Sequence, residues 1–161
     1  MSTDSDATGS RAQPVAAIED AGERAPAAQS TPQDDTVELR LRASAAHLSA
    51  VRALAADLAM HLDMDLDTIA DLRLAVDEAC SALVPLARVD SQMSCRFTVS
   101  GDAIRVVVTV DSAGDAAPNR HSFAWQVLST LADRAGSTVD PGPAGGYLIS
   151  IALDKRKLDE T

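Results

Sequence analysis

Residues 70–83, which read ADLRLAVDEACSAL, constrain the fold of this chain more than any other segment. Apolar residues recur there every three or four positions, which is the spacing of one face of an α-helix. The acidic residues Asp77 and Glu78 interrupt this run, and Glu78 lies roughly 200° around the helix from Val76. We therefore expect a core helix that turns Glu78 away from its buried stripe. That stripe consists of Ile69, Leu72, Val76, Cys80 and Leu83.

Two further elements are predicted before this helix. Val37, Leu39 and Leu41 alternate with charged residues, which is the pattern of a strand with one solvent-exposed face. A first helix follows Ser44, a residue type that favours the N-cap position, and it ends before the acidic linker 63–67. Its predicted apolar stripe consists of Leu48, Val51, Leu54, Leu58 and Leu62.

The second half of the chain predicts three strands and one helix. Alternating segments at 93–99 and 104–110 are joined by a Ser-Gly-Asp sequence that favours a hairpin. A third helix runs from Phe123 and closes near Gly136, and a Gly/Pro-rich turn leads to a last strand at 147–153. The order β-α-α-β-β-α-β, with antiparallel neighbours, predicts an α+β two-layer sandwich with the helices on one face.

The first 35 residues differ in composition from the rest. They are rich in Ala, Pro and Ser and carry more acidic than basic residues, so they bury too little apolar surface to offset their ordering entropy. We expect a disordered acidic tail over residues 1–35 and one folded domain over residues 36–157.

Charge and apolar content exclude several functions. Lys and Arg number 14 against 24 Asp and Glu, and the net charge of −10 argues against nucleic-acid binding and against docking on an anionic membrane. No segment is long and apolar enough to span a bilayer, and no export signal is recognisable, so we expect a cytoplasmic protein. In that setting Cys80 and Cys95 are expected to be reduced and buried.

Three segments carry a family resemblance: LRLAVDEAC, FAWQVLSTLADRAG and GGYLISIAL. Together with the order of elements, they resemble the RsbW-type anti-sigma factors, in their actinobacterial branch, of the GHKL ATPase and serine-protein kinase superfamily. The resemblance covers about residues 36–155. It implies the GHKL (Bergerat) histidine-kinase-like ATPase fold, in which a mixed, mainly antiparallel sheet carries helices on one face.

The resemblance also assigns a candidate catalytic residue. In active members of the superfamily this helix ends in Glu-x-x-x-Asn, where the carboxylate activates a nucleophile and the amide holds the nucleotide's magnesium. Glu78 matches the Glu and is the candidate base, but Ala82 stands one turn later. A methyl group cannot bind Mg²⁺, which requires oxygen ligands in near-octahedral geometry.

Two further nucleotide-binding sequences of the superfamily are altered here. Asp111 matches the Asp that binds the adenine amino group, but Asp-x-Gly-x-Gly has become Asp111-x-Ala113-x-Asp115, with one glycine displaced to Gly114. The later Gly-x-Gly-Leu falls on residues 122–125 and has lost both glycines. We therefore expect at most weak binding of ATP or ADP through Asp111, Gly114 and Glu78, no intact Mg²⁺ site, and inefficient phosphoryl transfer.

The resemblance implies an anti-sigma factor that sequesters an alternative sigma factor of the stress or sporulation type. A STAS-type anti-anti-sigma antagonist would release it, the protein would form a homodimer, and Arg52 on the exposed face of helix 1 would contact partners. Two alternatives stay open: an active ATP-dependent serine kinase that phosphorylates the antagonist, and a small-molecule sensor that uses the former nucleotide cleft. Glu78, Asp111 and Arg52 also have purely structural interpretations, as a solvated carboxylate, a turn residue and a surface charge.

Overall fold

The computed structural model describes residues 34–143 and 145–159, which form three α-helices, five strands and two short 3₁₀ helices, Ala45–His47 and Val84–Leu86. The three helices are α1 (Leu48–His61), α2 (Leu66–Leu83) and α3 (Phe123–Leu131). The five strands are β1 (Asp35–Arg42), β2 (Gln92–Ser100), β3 (Ala103–Ser112), β4 (Arg134–Pro141) and β5 (Tyr147–Arg156). Most of the predicted tail, residues 1–33, lies outside the described part of the chain, and Asp35 already belongs to β1.

The five strands form one antiparallel sheet in the order β1-β2-β3-β5-β4. The predicted hairpin joins β2 to β3, and Gly101 takes a φ of +60° in its turn, a conformation that glycine adopts without steric cost. The helices cover one face of the sheet, with α2 against β3 and β5 and α1 beside it over β2. This confirms the α+β two-layer sandwich.

The core lies between the helices and the sheet. The whole predicted stripe of α2 is buried, and it meets the inward residues of the strands, among which Phe97 is the largest. Cys80 of α2 and Cys95 of β2 are both fully buried free thiols, and their mutual hydrogen bond together with burial raises the pKa of Cys80. Among the described residues, no helix combines the length and the apolar character needed to cross a lipid bilayer.

The third helix was predicted too long, and a strand was missed. α3 ends at Leu131, and the segment Arg134–Pro141 forms β4 instead of continuing the helix toward Gly136. Gly136 pairs with Ala152 of β5, and Asp133 fixes the turn because its carboxylate accepts a hydrogen bond from the backbone N–H of Arg156. The exposed edge of β5 thus determines the structure of a segment whose own strand propensity is weak.

The predicted stripe of α1 is only partly correct. Leu48 and Val51 are buried, but Ala55 and Ala59 take the inner positions further along, where Leu54 and the later leucines are only partly buried. Small side chains allow α1 to approach its neighbours closely, and the leucines then flank the contact.

Candidate functional site

Glu78 lies on the side of α2 that faces α3. The start of α2 is fixed by Asp65, whose carboxylate accepts hydrogen bonds from the backbone N–H and the hydroxyl of Thr68, both at 2.8 Å. Thirteen residues further on, the side chain of Glu78 borders a cavity of about 190 Å³ between α2, α3 and the loop before α3. We call this the α2–α3 cavity. Its lining residues are Glu78, Ala82, Pro118, Asn119, Ser122, Ala124, Trp125 and Leu128.

Several polar groups of this cavity are already hydrogen-bonded within the loop before α3 and the start of α3. The hydroxyl of Ser122 accepts a hydrogen bond from the N–H of Trp125 at 3.1 Å and donates one to the carbonyl of Asn119 at 2.8 Å. The Asn119 side-chain oxygen accepts from the N–H of His121 at 2.9 Å. Within the described part of the chain, the Glu78 carboxylate has no hydrogen-bond or ion-pair partner. It is therefore the one acidic group in the cavity wall that is free to bind a ligand.

An arginine fixes the loop that closes the cavity. The Arg120 guanidinium lies 5.3 Å from the centroid of the Trp125 ring, within the range of a cation–π interaction. The same guanidinium donates to the hydroxyl of Ser137 on β4 at 3.2 Å. Arg120 thus ties the loop to both α3 and β4. Neither Arg120 nor Asn119 was singled out from the sequence, because loop residues show no periodicity that reports their tertiary contacts.

Asp111 lies on the other face of the sheet. Its carboxylate accepts a hydrogen bond from the guanidinium of Arg88 at 3.1 Å, and it borders a groove on the face that the helices leave uncovered. Successive strand residues point to opposite faces, so the helix-side position at the end of β3 belongs to the buried Ser112. The structure does not bring Asp111 and Glu78 together. A role for Asp111 in binding adenine stays a prediction, and this geometry speaks against it.

Gly114 lies in the loop after β3, where its N–H donates to the Ser112 hydroxyl at 3.3 Å. A Cβ atom built at Gly114 would meet no atom within 4 Å. Packing within the protein therefore does not require glycine there, and a close approach by a ligand stays a prediction.

The sequence predicted that Arg52 lies on the exposed face of the first helix. In the structure its side chain is only partly exposed. It donates a hydrogen bond to the Asp77 carboxylate at 2.5 Å, and both side chains are partly buried between α1 and α2. The acidic pair on α2 thus has two different roles: Asp77 binds the arginine of the neighbouring helix, whereas Glu78 faces the α2–α3 cavity.

The wall of the α2–α3 cavity lacks several features that would hold a magnesium-bound nucleoside triphosphate. Ligand pockets typically enclose about 300–1,000 Å³, and the α2–α3 cavity offers about 190 Å³. Ala82 supplies no metal ligand, and no cluster of three or more His, Cys, Asp and Glu suited to a metal occurs in residues 34–143 and 145–159. The backbone N–H groups at the start of a helix favour the binding of phosphate. Here the N–H of Trp125 already donates a hydrogen bond to the hydroxyl of Ser122.

Comparison with known proteins identifies the family. Residues 41–143 match the histidine kinase-like ATPase domain. Anti-sigma-F factor RsbW, in two strains of Mycobacterium tuberculosis, is 37% identical over an alignment of 128 residues that covers 75% of this chain and 73% of the relative. The crystal structure of the RsbU and RsbW domains of a protein from the same species matches this structure with a TM-score of 0.51 at 18% sequence identity. The match covers 79% of this chain and 35% of that one, and it supports the fold alone. The chain belongs to the histidine kinase-like ATPase domain family and, within it, to the RsbW-type anti-sigma factors.

Proposed function

We propose that this protein is an anti-sigma factor that binds an alternative sigma factor and blocks its docking to core RNA polymerase in the cytoplasm. An anti-anti-sigma protein of the STAS type would compete for the complex and release the sigma factor. The observation that carries this proposal is the 37% identity to anti-sigma-F factor RsbW over 128 residues. As in that class of regulator, we infer that the protein acts as a homodimer.

The α2–α3 cavity gives little support to phosphoryl transfer, so we infer that the protein acts by binding its partners. Transfer of a phosphoryl group depends on positioning and on metal ions that neutralise developing charge. Glu78 remains in place as a base, but Ala82 offers no oxygen and the start of α3 is capped by Ser122. The family is one of ATPase domains, and we infer that in this member nucleotide binding is weak and independent of Mg²⁺.

The partner surface that we propose is the outer side of α1 and α2 around Arg52. The Arg52 side chain is 37% exposed although it binds Asp77, so a carboxylate of a sigma factor can reach it and replace Asp77. Exchange of one charged partner for another avoids leaving the arginine unpaired.

Co-purification with each sigma factor of the same cell tests the main proposal. The full chain should form a stable complex with at least one of them, and the purified antagonist should dissociate that complex. Arg52→Ala should weaken the complex, with Arg105→Ala as a control on the face of the sheet that the helices leave uncovered. If every sigma factor elutes separately from the chain, the proposal is wrong.

Nucleotide chemistry is tested separately. Calorimetric titration with ATP should give the same weak affinity with and without Mg²⁺, and the antagonist should acquire no labelled phosphate. Phosphorylation of the antagonist that is abolished by Glu78→Gln would instead establish the kinase. Ala82→Asn, which restores an amide one turn after Glu78, should not make binding magnesium-dependent, because the N–H of Trp125 at the start of α3 is still occupied by Ser122.

A further inference from the structure

Glu78 is a partly buried carboxylate that no cation neutralises within the described part of the chain. The acidic side chains beside it on α2 do have partners. Asp77 binds Arg52, and the carboxylate of Asp71 lies 3.5 Å from the ammonium group of Lys155. Partial removal of a carboxylate from water is costly unless a positive charge or hydrogen bonds compensate for it. Glu78 is therefore suited to bind a cation that the described chain does not supply.

The α2–α3 cavity suits one long side chain with a positive charge at its end. Its lining includes the buried Pro118 and Leu128 as well as the partly exposed Glu78 and Trp125. A guanidinium forms paired hydrogen bonds with a carboxylate and also stacks on aromatic rings, and Arg120 already contacts the Trp125 ring in this way. The volume of about 190 Å³ is on the scale of one side chain, whereas pockets for whole small ligands enclose ~300–1,000 Å³.

Two exposed apolar side chains beside Glu78 indicate that the ligand belongs to a protein. Phe123 lies between Ser122 and Ala124, which both line the cavity, and 80% of its surface is exposed. Leu74 lies one helical turn before Glu78, hence on the same side of α2, and is 44% exposed. Exposed apolar surface of this kind is typical of interaction sites, where it excludes water from a central charged or aromatic anchor.

The charge of the chain indicates which partner supplies the cation. A net charge of −10 attracts basic protein surfaces. A sigma factor has to contact promoter DNA, and proteins neutralise DNA phosphates with Lys and Arg. Because Asp77 and Glu78 are consecutive residues of α2, the cavity adjoins the surface around Arg52 that is proposed above. One sigma factor is therefore able to contact both places.

We propose that an arginine from the DNA-contacting surface of the sigma factor enters the α2–α3 cavity and binds the carboxylate of Glu78. This inference rests on the proposed function and specifies the chemistry of the complex at one point. The position that supplies the base in active members of the superfamily thus anchors a partner protein here. An arginine held in the cavity is unavailable to promoter DNA, so the complex blocks DNA binding as well as docking to core RNA polymerase.

Calorimetric titration of the full chain with the sigma factor, in buffer without nucleotide, tests the contact. Glu78→Gln removes the charge but preserves the shape, and it should raise the dissociation constant by at least about tenfold. Asp140→Asn is the matched control, because it removes the same charge from an exposed position on β4. It should change the dissociation constant by less than about twofold. Both variants should unfold in urea as the unchanged protein does, because the Glu78 carboxylate has no partner to lose within the described chain.

Replacement of each arginine of the sigma factor by alanine, one at a time, identifies the side chain that enters the cavity. One variant should bind the unchanged chain about as weakly as Glu78→Gln binds the unchanged sigma factor. Combining these two substitutions should cause little further loss, because each removes the same contact. Failure of every arginine variant to show this coupling would overturn the proposal.

The apolar border of the cavity has its own matched pair of variants. Phe123→Ala should raise the dissociation constant of the complex several-fold, because an exposed aromatic side chain beside the anchor is lost. Leu158→Ala should leave it unchanged. Leu158 is 65% exposed and follows β5 beside the β2–β3 hairpin, where the N–H of Lys157 donates to the carbonyl of Asp102. Equal effects of the two substitutions would contradict a contact at the cavity.

The outcomes separate this inference from the proposed function. A complex that Glu78→Gln forms with unchanged affinity would overturn the inference and leave the anti-sigma function intact. Absence of any complex with the unchanged chain would overturn both. A loss of affinity that appears only when ATP is present would assign Glu78 to nucleotide binding, and a loss seen only with the antagonist would assign the cavity to that protein. Either result would overturn the contact with the sigma factor.

Discussion

The Arg52–Asp77 ion pair leads to a prediction in which folding and binding respond in opposite directions. The pair stabilises the free protein by joining α1 to α2. If a carboxylate of the sigma factor binds Arg52 in place of Asp77, this intramolecular contact is lost when the complex forms. Asp77→Asn, which preserves the shape of the side chain, should therefore destabilise the free protein and strengthen the complex.

The exposure of the pair sets the expected magnitude. Exposed ion pairs contribute ~0.2–1 kcal/mol. The two side chains here are 37% and 26% exposed, and this partial burial favours the upper end of that range. At about 1 kcal/mol, Asp77→Asn should lower Tm by about 4 °C. The same free energy corresponds to an affinity for the sigma factor that is about fivefold higher.

Urea denaturation and calorimetric titration of the sigma factor measure the two effects independently. A double-mutant cycle with Arg52→Ala isolates the coupling between the two side chains in each assay. Arg52→Ala alone should lower both stability and affinity. Equal losses of affinity for Asp77→Asn and Arg52→Ala would show that the ion pair persists in the complex and would refute competition for Arg52.

Three other substitutions test the fold and the cavity. Leu72→Ala should lower the free energy of unfolding in urea by about 2–5 kcal/mol, because Leu72 is fully buried in the core; a loss well below that range would contradict this packing. The backbone N–H of Thr68, followed by its hydroxyl, holds the pKa of the Asp65 carboxyl below its ordinary value. The stabilisation by Asp65 is therefore present above about pH 4 and is lost as pH falls through the lowered pKa. Accordingly, the Tm difference between the unchanged protein and Asp65→Ala should shrink below that pH, and a constant difference would refute the cap. Arg120→Ala should release the loop beside Trp125, the one tryptophan of the chain, and increase acrylamide quenching of its fluorescence; unchanged quenching would show that other contacts hold the loop.

The sequence alone determined the elements whose patterns are local. The stripe of α2 and the alternation of β2, β3 and β5 were read correctly, because apolar periodicity directly reports which side of an element is buried. The family was also identified correctly, since the segment around Glu78 retains its sequence signature.

Tertiary contacts decided the rest. β4 forms because the free edge of β5 supplies its hydrogen bonds, and no local pattern reports a partner that lies elsewhere in the chain. The ion pair of Arg52 with Asp77 was not predicted for the same reason, because the two residues are 25 positions apart in the chain. Asp111 was placed in the nucleotide cleft by its sequence surroundings, but the register of β3 turns it to the opposite face and gives the inner position to Ser112. Local sequence set the period of each element, whereas the packing of distant elements set which side chains meet.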